Sequence, residues 1–303
     1  RKSYDDASWY DYVLKERSKI KYIIMDVGST RMEDDMFVHV EKFDRFIRIH
    51  SKEDLLSIGE DYDTEIAMLD SFIIALEKAF QQAIDRGIIG VKSALAYHRP
   101  LNYENVPKEK AEQVFSQIMN EPSDNSFDFD QVKSLQDYMM HRIIGLARKH
   151  NLPMQIHTGL QAGDGNYISN SNPALLTNLF LEYRDVRFSI FHGSYPYGGE
   201  LSALAKNFRN VFLDMSWLYI ISPSYSERYL HEWLETVPSN KIMAFGGDYH
   251  NVENILGHSL MARMVVSKVL IEKVKTGYLT EAEAKQIAER LLYKNALELF
   301  RID

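Results

Sequence analysis

The stretch "PMQIHTG" at residues 153–159 is an apolar run that hands a histidine, His157, to the turn at its end. A strand with one wet face alternates polar and apolar side chains, whereas a strand covered on both faces reads as a nearly unbroken apolar run. This stretch is of the second kind. So are "VRFSIFHG" (186–193) and "KIMAFGGD" (241–248), which end in His192 and Asp248 or reach them near the end. Working outward, the same reading predicts strands in "KYIIMDVG" (21–28), "FDRFIRIH" (43–50), "IIGVKSALAY" (88–97) and "NVFLDMSW" (210–217). Helical periodicity fills the intervals. It covers "TEIAMLDSFIIALEKAFQQAIDRG", closing on Gly87, and segments near 129–150, 173–184, 198–207, 224–236, 251–276 and 280–298.

Strand and helix therefore alternate, which predicts an α/β fold, either a doubly wound open sheet or a (β/α)8 TIM-type barrel. No glycine-rich phosphate loop follows any of the strands, which favours the barrel. A barrel needs eight strands and the reading yields seven. The strand expected to be missing is the first, lying upstream of Arg1; an overlooked strand is the alternative. Residues 1–303 are read as one barrel domain, with 101–128 as a helical insertion after the fourth barrel strand, over the mouth.

Composition narrows the function classes. A chain of 303 residues that is 45% hydrophobic and carries a net charge of −8 is suited to a large core and a small-molecule partner. Neither nucleic acid nor an anionic membrane surface is expected, because both reward basic patches. There are no cysteines, so thiolate chemistry and Cys-based metal sites are excluded. No apolar run approaches the roughly 20 residues of a membrane span. A cytoplasmic location is expected, although a chain starting at Arg1 leaves an exported form open. The apolar stretch "SLMARMVVSKVLI" fits burial within the monomer or contact in a homo-oligomer equally well.

Polar residues collect at the C-terminal ends of the predicted strands: Lys92, His157, His192, Asp214 and Asp248. In a barrel those ends share one face, where barrel enzymes hold their reactive groups. Each has a structural alternative: a hydrogen-bonded core histidine, an aspartate capping a helix, a lysine in a rim salt bridge. Taken together, imidazoles and a carboxylate suit a divalent ion, which would acidify a bound water while an aspartate moves its proton. Lys92, and His98, Arg99, Tyr195 and Trp217 just beyond strand ends, are the candidate substrate contacts. Packing over the mouth is the alternative for the two aromatics and a salt bridge for Arg99. His141, His150, His231 and His258 fall on predicted helices and are assigned structural roles.

With these residues in view, "GVKSALAY", "MQIHTG", "FHGSYPYGGELSALAKNFRNVFLDMSW", "AFGGDYH" and "NALELF" resemble the amidohydrolase-related metal-dependent hydrolases of the amidohydrolase superfamily. The likeness is greatest to the branch fused to glutamine-synthetase-like domains and runs from about residue 88 onward. It implies a barrel whose first strand ends in a His-x-His metal pair, a motif that occurs nowhere in this sequence. It further implies metal ligation by His157, by Asp248 as ligand and proton shuttle, and by His192 toward a second metal or the substrate. Lys92 would fall where binuclear members carry a carboxylated lysine bridging two ions. The expected cofactor is one or two divalent ions, zinc first, manganese or iron as alternatives. The expected activity is hydrolysis of an amide, ester or lactone bond of a small substrate. Non-oxidative decarboxylation, sugar-acid isomerisation, and a non-catalytic barrel that has lost its metal are the alternatives.

Overall fold

In the computed structural model, which describes residues 8–26, 35–122 and 125–302, seven strands pair in parallel and in chain order. They are β1 (Ile23–Met25), β2 (Phe37–Lys42), β3 (Gly90–Ser93), β4 (Met154–Ile156), β5 (Phe188–Ile190), β6 (Val211–Asp214) and β7 (Ile242–Met243). Every residue of β3, β4 and β5 is buried, as expected of unbroken apolar runs covered on both faces. The helices are α1 (Ser8–Asp11), α2 (Lys52–Asp61), α3 (Leu69–Asp85), α4 (Lys108–Asn120), α5 (Phe129–Lys149) and α6 (Thr177–Glu182). They continue with α7 (Gly198–Asn207), α8 (Leu218–Ile221), α9 (Pro223–Thr236), α10 (Val252–Lys275), α11 (Glu281–Glu289) and α12 (Asn295–Phe300). Among the described residues the result is a TIM-barrel-like α/β wall with one strand fewer than a closed barrel.

Local chemistry fixes the helix ends. Ser51 caps α2 by accepting from the Asp54 backbone N–H at 3.2 Å, and the Asp54 carboxylate accepts from the Ser51 N–H at 2.9 Å. Gly87, just past α3, takes φ +82°, the left-handed conformation that glycine adopts without steric penalty. The apolar face of α3, including Phe72, Leu76 and Phe80, is buried, and Phe80 stacks on Phe43 at 4.7 Å between ring centroids. The 101–128 segment contributes α4, which packs against α3 and α5.

One strand differs from the sequence reading. The second strand is Phe37–Lys42, not 43–50, and Asp44–Phe46 forms a 3-10 turn. The reason is tertiary: Phe43, Phe46, Ile47 and Ile49 are buried, and Asp44 accepts from the Ala94 backbone N–H at 2.6 Å. The other six strands fall inside the predicted runs but are shorter, and the polar ends of several runs form loops. Gly28, the end of the first predicted run, lies outside the described residues.

Among the described residues the ends of the sheet, β1 and β7, have no partner strand across from them. A cavity of about 600 Å³ lies between them, bounded by Ile24 and Met25 on one side and Met243 on the other, and reaches the C-terminal ends of the inner strands. Among the described residues no helix is long and apolar enough to cross a membrane.

Candidate active site

Strand register sets the site. Lys92 of β3 lies beside Gln155 of β4, and Gln155 beside Ser189 of β5. Further along, the loops after β4, β5 and β7 carry His157, His192 and Asp248. Because side chains alternate with a period of two, Gln155 and His157 share a face.

His157 and His192 are buried, and their rings meet with Nδ1 of His157 3.0 Å from Nε2 of His192. Their outer nitrogens face backbone carbonyls: His157 Nε2 lies 3.2 Å from Leu160 O, and His192 Nδ1 lies 2.8 Å from Ser216 O. A carbonyl oxygen only accepts, so those outer nitrogens carry the protons and donate. In the neutral rings the two inner nitrogens therefore present lone pairs to each other. Burial, then the neighbouring His192 and Lys92, holds His157 well below the ordinary imidazole range. Burial and Lys92 do the same to His192. Asp248, whose side chain is 55% exposed, brings Oδ2 to 4.0 Å from His192 Nε2.

Two lone pairs held at this spacing by N–H donation behind them are what a cation requires, since second bonds of this kind fix the tautomer of ligating histidines. Two nitrogens bound to one zinc at about 2.0–2.1 Å each stand a little over 3 Å apart. The donor set fits a divalent ion as part of a coordination shell. Among the described residues no three His, Cys, Asp or Glu side chains form a complete one.

Below the imidazoles the barrel interior is polar. The buried Asp214 carboxylate accepts from Ser216 N (2.8 Å), Ser216 Oγ (2.5 Å) and Ser189 Oγ (3.3 Å), and burial still raises its pKa. The Lys92 ammonium lies 3.2 Å from the Phe191 ring centroid. Burial pulls its pKa down to about 8 against the opposing pull of Asp248, Asp26 and Asp214. The backbone here is unusual: His192, Ser194, Trp217 and Asp248 are four of the eight non-glycine residues with positive φ among the described residues, which gathers that costly conformation at one mouth.

The structure thus brings Lys92, His157, His192, Asp214 and Asp248 together, keeps Trp217 beside them, and separates His98, Arg99 and the Tyr195 ring from them. Arg99 is buried elsewhere, donating to Asp137 Oδ1 at 2.5 Å and to Gln136 at 3.1 Å, with its guanidinium over Tyr103. It fills the salt-bridge role rather than a substrate contact. His98 is exposed and does not line the cavity. Tyr195 packs edge-on against Tyr225 at 4.8 Å. Trp217 stays near the site, its ring 6.5 Å from that of His192.

Three contributors are additional. Gln155 lines the cavity, Tyr97 lays its ring 4.6 Å from that of His157, and His258 of α10 faces Gly247 O through Nδ1 at 3.2 Å. Gln155 had a signal, a polar residue inside an apolar strand two positions before His157. The other two meet the site only through tertiary packing.

Known proteins share the family and the fold. The chain is 29% identical over 227 residues to protein fluG of Emericella nidulans, a match spanning 72% of this chain and 26% of that protein. It is 22% identical over 323 aligned positions to uronate isomerase of Thermotoga neapolitana, spanning 98% of this chain and 66% of that one. The chain thus covers less than two thirds of the length of either relative. Among solved structures, a Lactobacillus casei ATCC 334 protein provisionally named a metal-dependent hydrolase superposes with a TM-score of 0.76 at 20% identity, covering 97% of this chain and 76% of that one. The sequence profile of the amidohydrolase family matches residues 115–302, which hold both imidazoles, Asp214 and Asp248, and the chain belongs to that family.

Proposed function

We propose that the protein is a metal-dependent enzyme that hydrolyses an amide, ester or lactone bond of a small molecule. The observation that carries this reading is the facing lone pairs of His157 and His192 at 3.0 Å with the Asp248 carboxylate 4.0 Å from His192. His157 and His192 would hold a zinc, manganese or iron ion with the Asp248 carboxylate beside them, and further ligands would enter from the open side between β7 and β1. When bound, such an ion polarises a substrate oxygen and acidifies a water. Asp248 is exposed at the mouth and within reach of that position, so it takes a proton there and returns it to the leaving group. Leu160 O and Ser216 O hold the imidazoles in one tautomer throughout.

Sugar-acid isomerisation on the same residues is the second reading, favoured by the likeness to uronate isomerase across nearly the whole chain. Its demand on the protein is similar: a base at the mouth moves a proton, here between adjacent carbons rather than from water to a leaving group.

Metal analysis and product analysis test both. The protein as purified should contain a stoichiometric divalent ion, and His157→Ala or His192→Ala should lose it while remaining folded. Against panels of amides, esters, lactones and uronic acids, followed by NMR, Asp248→Asn should lower turnover by about 10²–10⁴-fold with the metal retained. Metal content unaffected by both histidine substitutions, or Asp248→Asn at full activity, would overturn the assignment.

A further inference from the structure

Among the described residues, two largely buried polar side chains that line the cavity make no hydrogen bond, and they are neighbours. Lys92 and Gln155 are paired in register on β3 and β4, each is 5% exposed, and both line the cavity. Their companions in the same polar layer are satisfied: Asp214 accepts three hydrogen bonds, one of them from Ser189. Neither Lys92 Nζ nor the Gln155 amide bonds to another group among the described residues. The Phe191 ring stabilises the ammonium from one side but offers it no acceptor oxygen. Asp26 is already engaged by Lys42 at 3.1 Å.

The ammonium and the amide open on the cavity with no protein acceptor or donor to satisfy them, so a ligand that bonds to both gains two hydrogen bonds there, one of them charge-assisted. We propose that Lys92 and Gln155 form a seat for the carboxylate of the substrate, which accepts from the ammonium through one oxygen and from the amide N–H through the other. The charges nearby select the ligand class. Lys19, Lys21 and Arg263 also line the cavity, but the charges acting on Lys92 itself are the carboxylates of Asp248, Asp26 and Asp214 and the Lys42 ammonium, a setting that suits a monoanion at the seat and disfavours a phosphate dianion. Position selects the rest of the molecule. His157 follows Gln155 by two residues, about 6.6 Å along an extended strand, so the reacting bond lies several bonds from the carboxylate, toward the mouth. The seat deepens the reading proposed above and rests on it for the reaction, though not for the binding.

Matched pairs of ligands test it, because an amide replaces a carboxylate at nearly constant shape. Titration calorimetry with D-glucuronate against D-glucuronamide, and with benzoate against benzamide, should show at least one acid binding about 10-fold or more tightly than its amide. Lys92→Met should abolish that preference by weakening the acid far more than the amide, and should melt no lower than the parent, since a buried charge is removed. Gln155→Leu should weaken the acid several-fold and provides the test should Lys92→Met fail to fold. No preference in either pair, or a preference that survives these substitutions, would refute the seat. The two proposals fail separately: acid preference without turnover sinks the activity, and turnover of a carboxylate substrate indifferent to Lys92→Met sinks the seat.

Discussion

Gly246 shows how little slack surrounds the imidazole pair. A Cβ there would lie 1.9 Å from Ser216 Oγ and 2.7 Å from Ser216 Cβ. Ser216 cannot retreat freely, because its N–H and hydroxyl bind Asp214 and its carbonyl accepts from His192 Nδ1. Gly246→Ala is therefore expected to cost about 1–3 kcal/mol by overpacking. It should also reduce activity by more than that loss explains, since the His192 ring turns with the carbonyl. Gly145→Ala in α5 is the contrast: nothing lies within 4 Å of the new methyl, and a helix interior gains up to about 1 kcal/mol when glycine becomes alanine. Urea denaturation of both variants checks the pair, and equal stability effects would contradict the packing argument. At this scale the sequence was legible where chemistry jars with its surroundings. His157, His192 and Asp248 end apolar runs, and that discord marked them. Arg99 is not legible in this way, because its partner Asp137 lies on another element and only folding brings the two together.

Elements were legible in proportion to their burial. The runs around β3 to β7 are apolar because both faces are covered, and each was found from that alone. "FVHVEK" was missed because β2 is only half-buried, with an alternating pattern weaker than the aromatic-rich "FDRFIRIH" beside it. The apolar residues of that neighbour face the helical layer, a distinction that composition does not encode. β7 illustrates how a short strand of two residues is held. Lys241, immediately before it, donates from Nζ to Ala205 O (2.5 Å) and Phe208 O (2.7 Å) at the end of α7. Burial lowers the pKa of this lysine from 10.5 to about 8. Between those values the unfolded chain binds a proton that the folded chain does not, so stability rises with pH through this window. The contribution is complete above about 10.5 and lost as pH falls through about 8. Melting temperatures of the parent from pH 8 upward should reflect that positive slope relative to Lys241→Met. Parallel curves for the two proteins would show that the lysine is not the source.

For the whole molecule, the consequence of seven strands in parallel order is a gradient of stability from one side of the wall to the other. β4 and β5 are flanked by strands on both sides and wholly buried, whereas β1 pairs only with β2 and all three of its residues are half-buried. Its support comes from a small separate cluster in which Val13, Leu14 and Met36 pack with Val252 of α10. Amides open locally at a cost set by the contacts around them, so a thinly supported edge exchanges before the centre. Hydrogen–deuterium exchange read by mass spectrometry should find peptides of β1 exchanging at least about tenfold faster than those of β4 and β5, an opening easier by about 1.4 kcal/mol. Addition of a carboxylate that fills the Lys92–Gln155 seat should slow exchange most in β3 and β4, which carry it, and least in β7. Uniform exchange across the seven strands would mean that the open side between β7 and β1 carries no energetic weakness. A ligand effect confined to β7 would move the binding site away from the strands assigned to it.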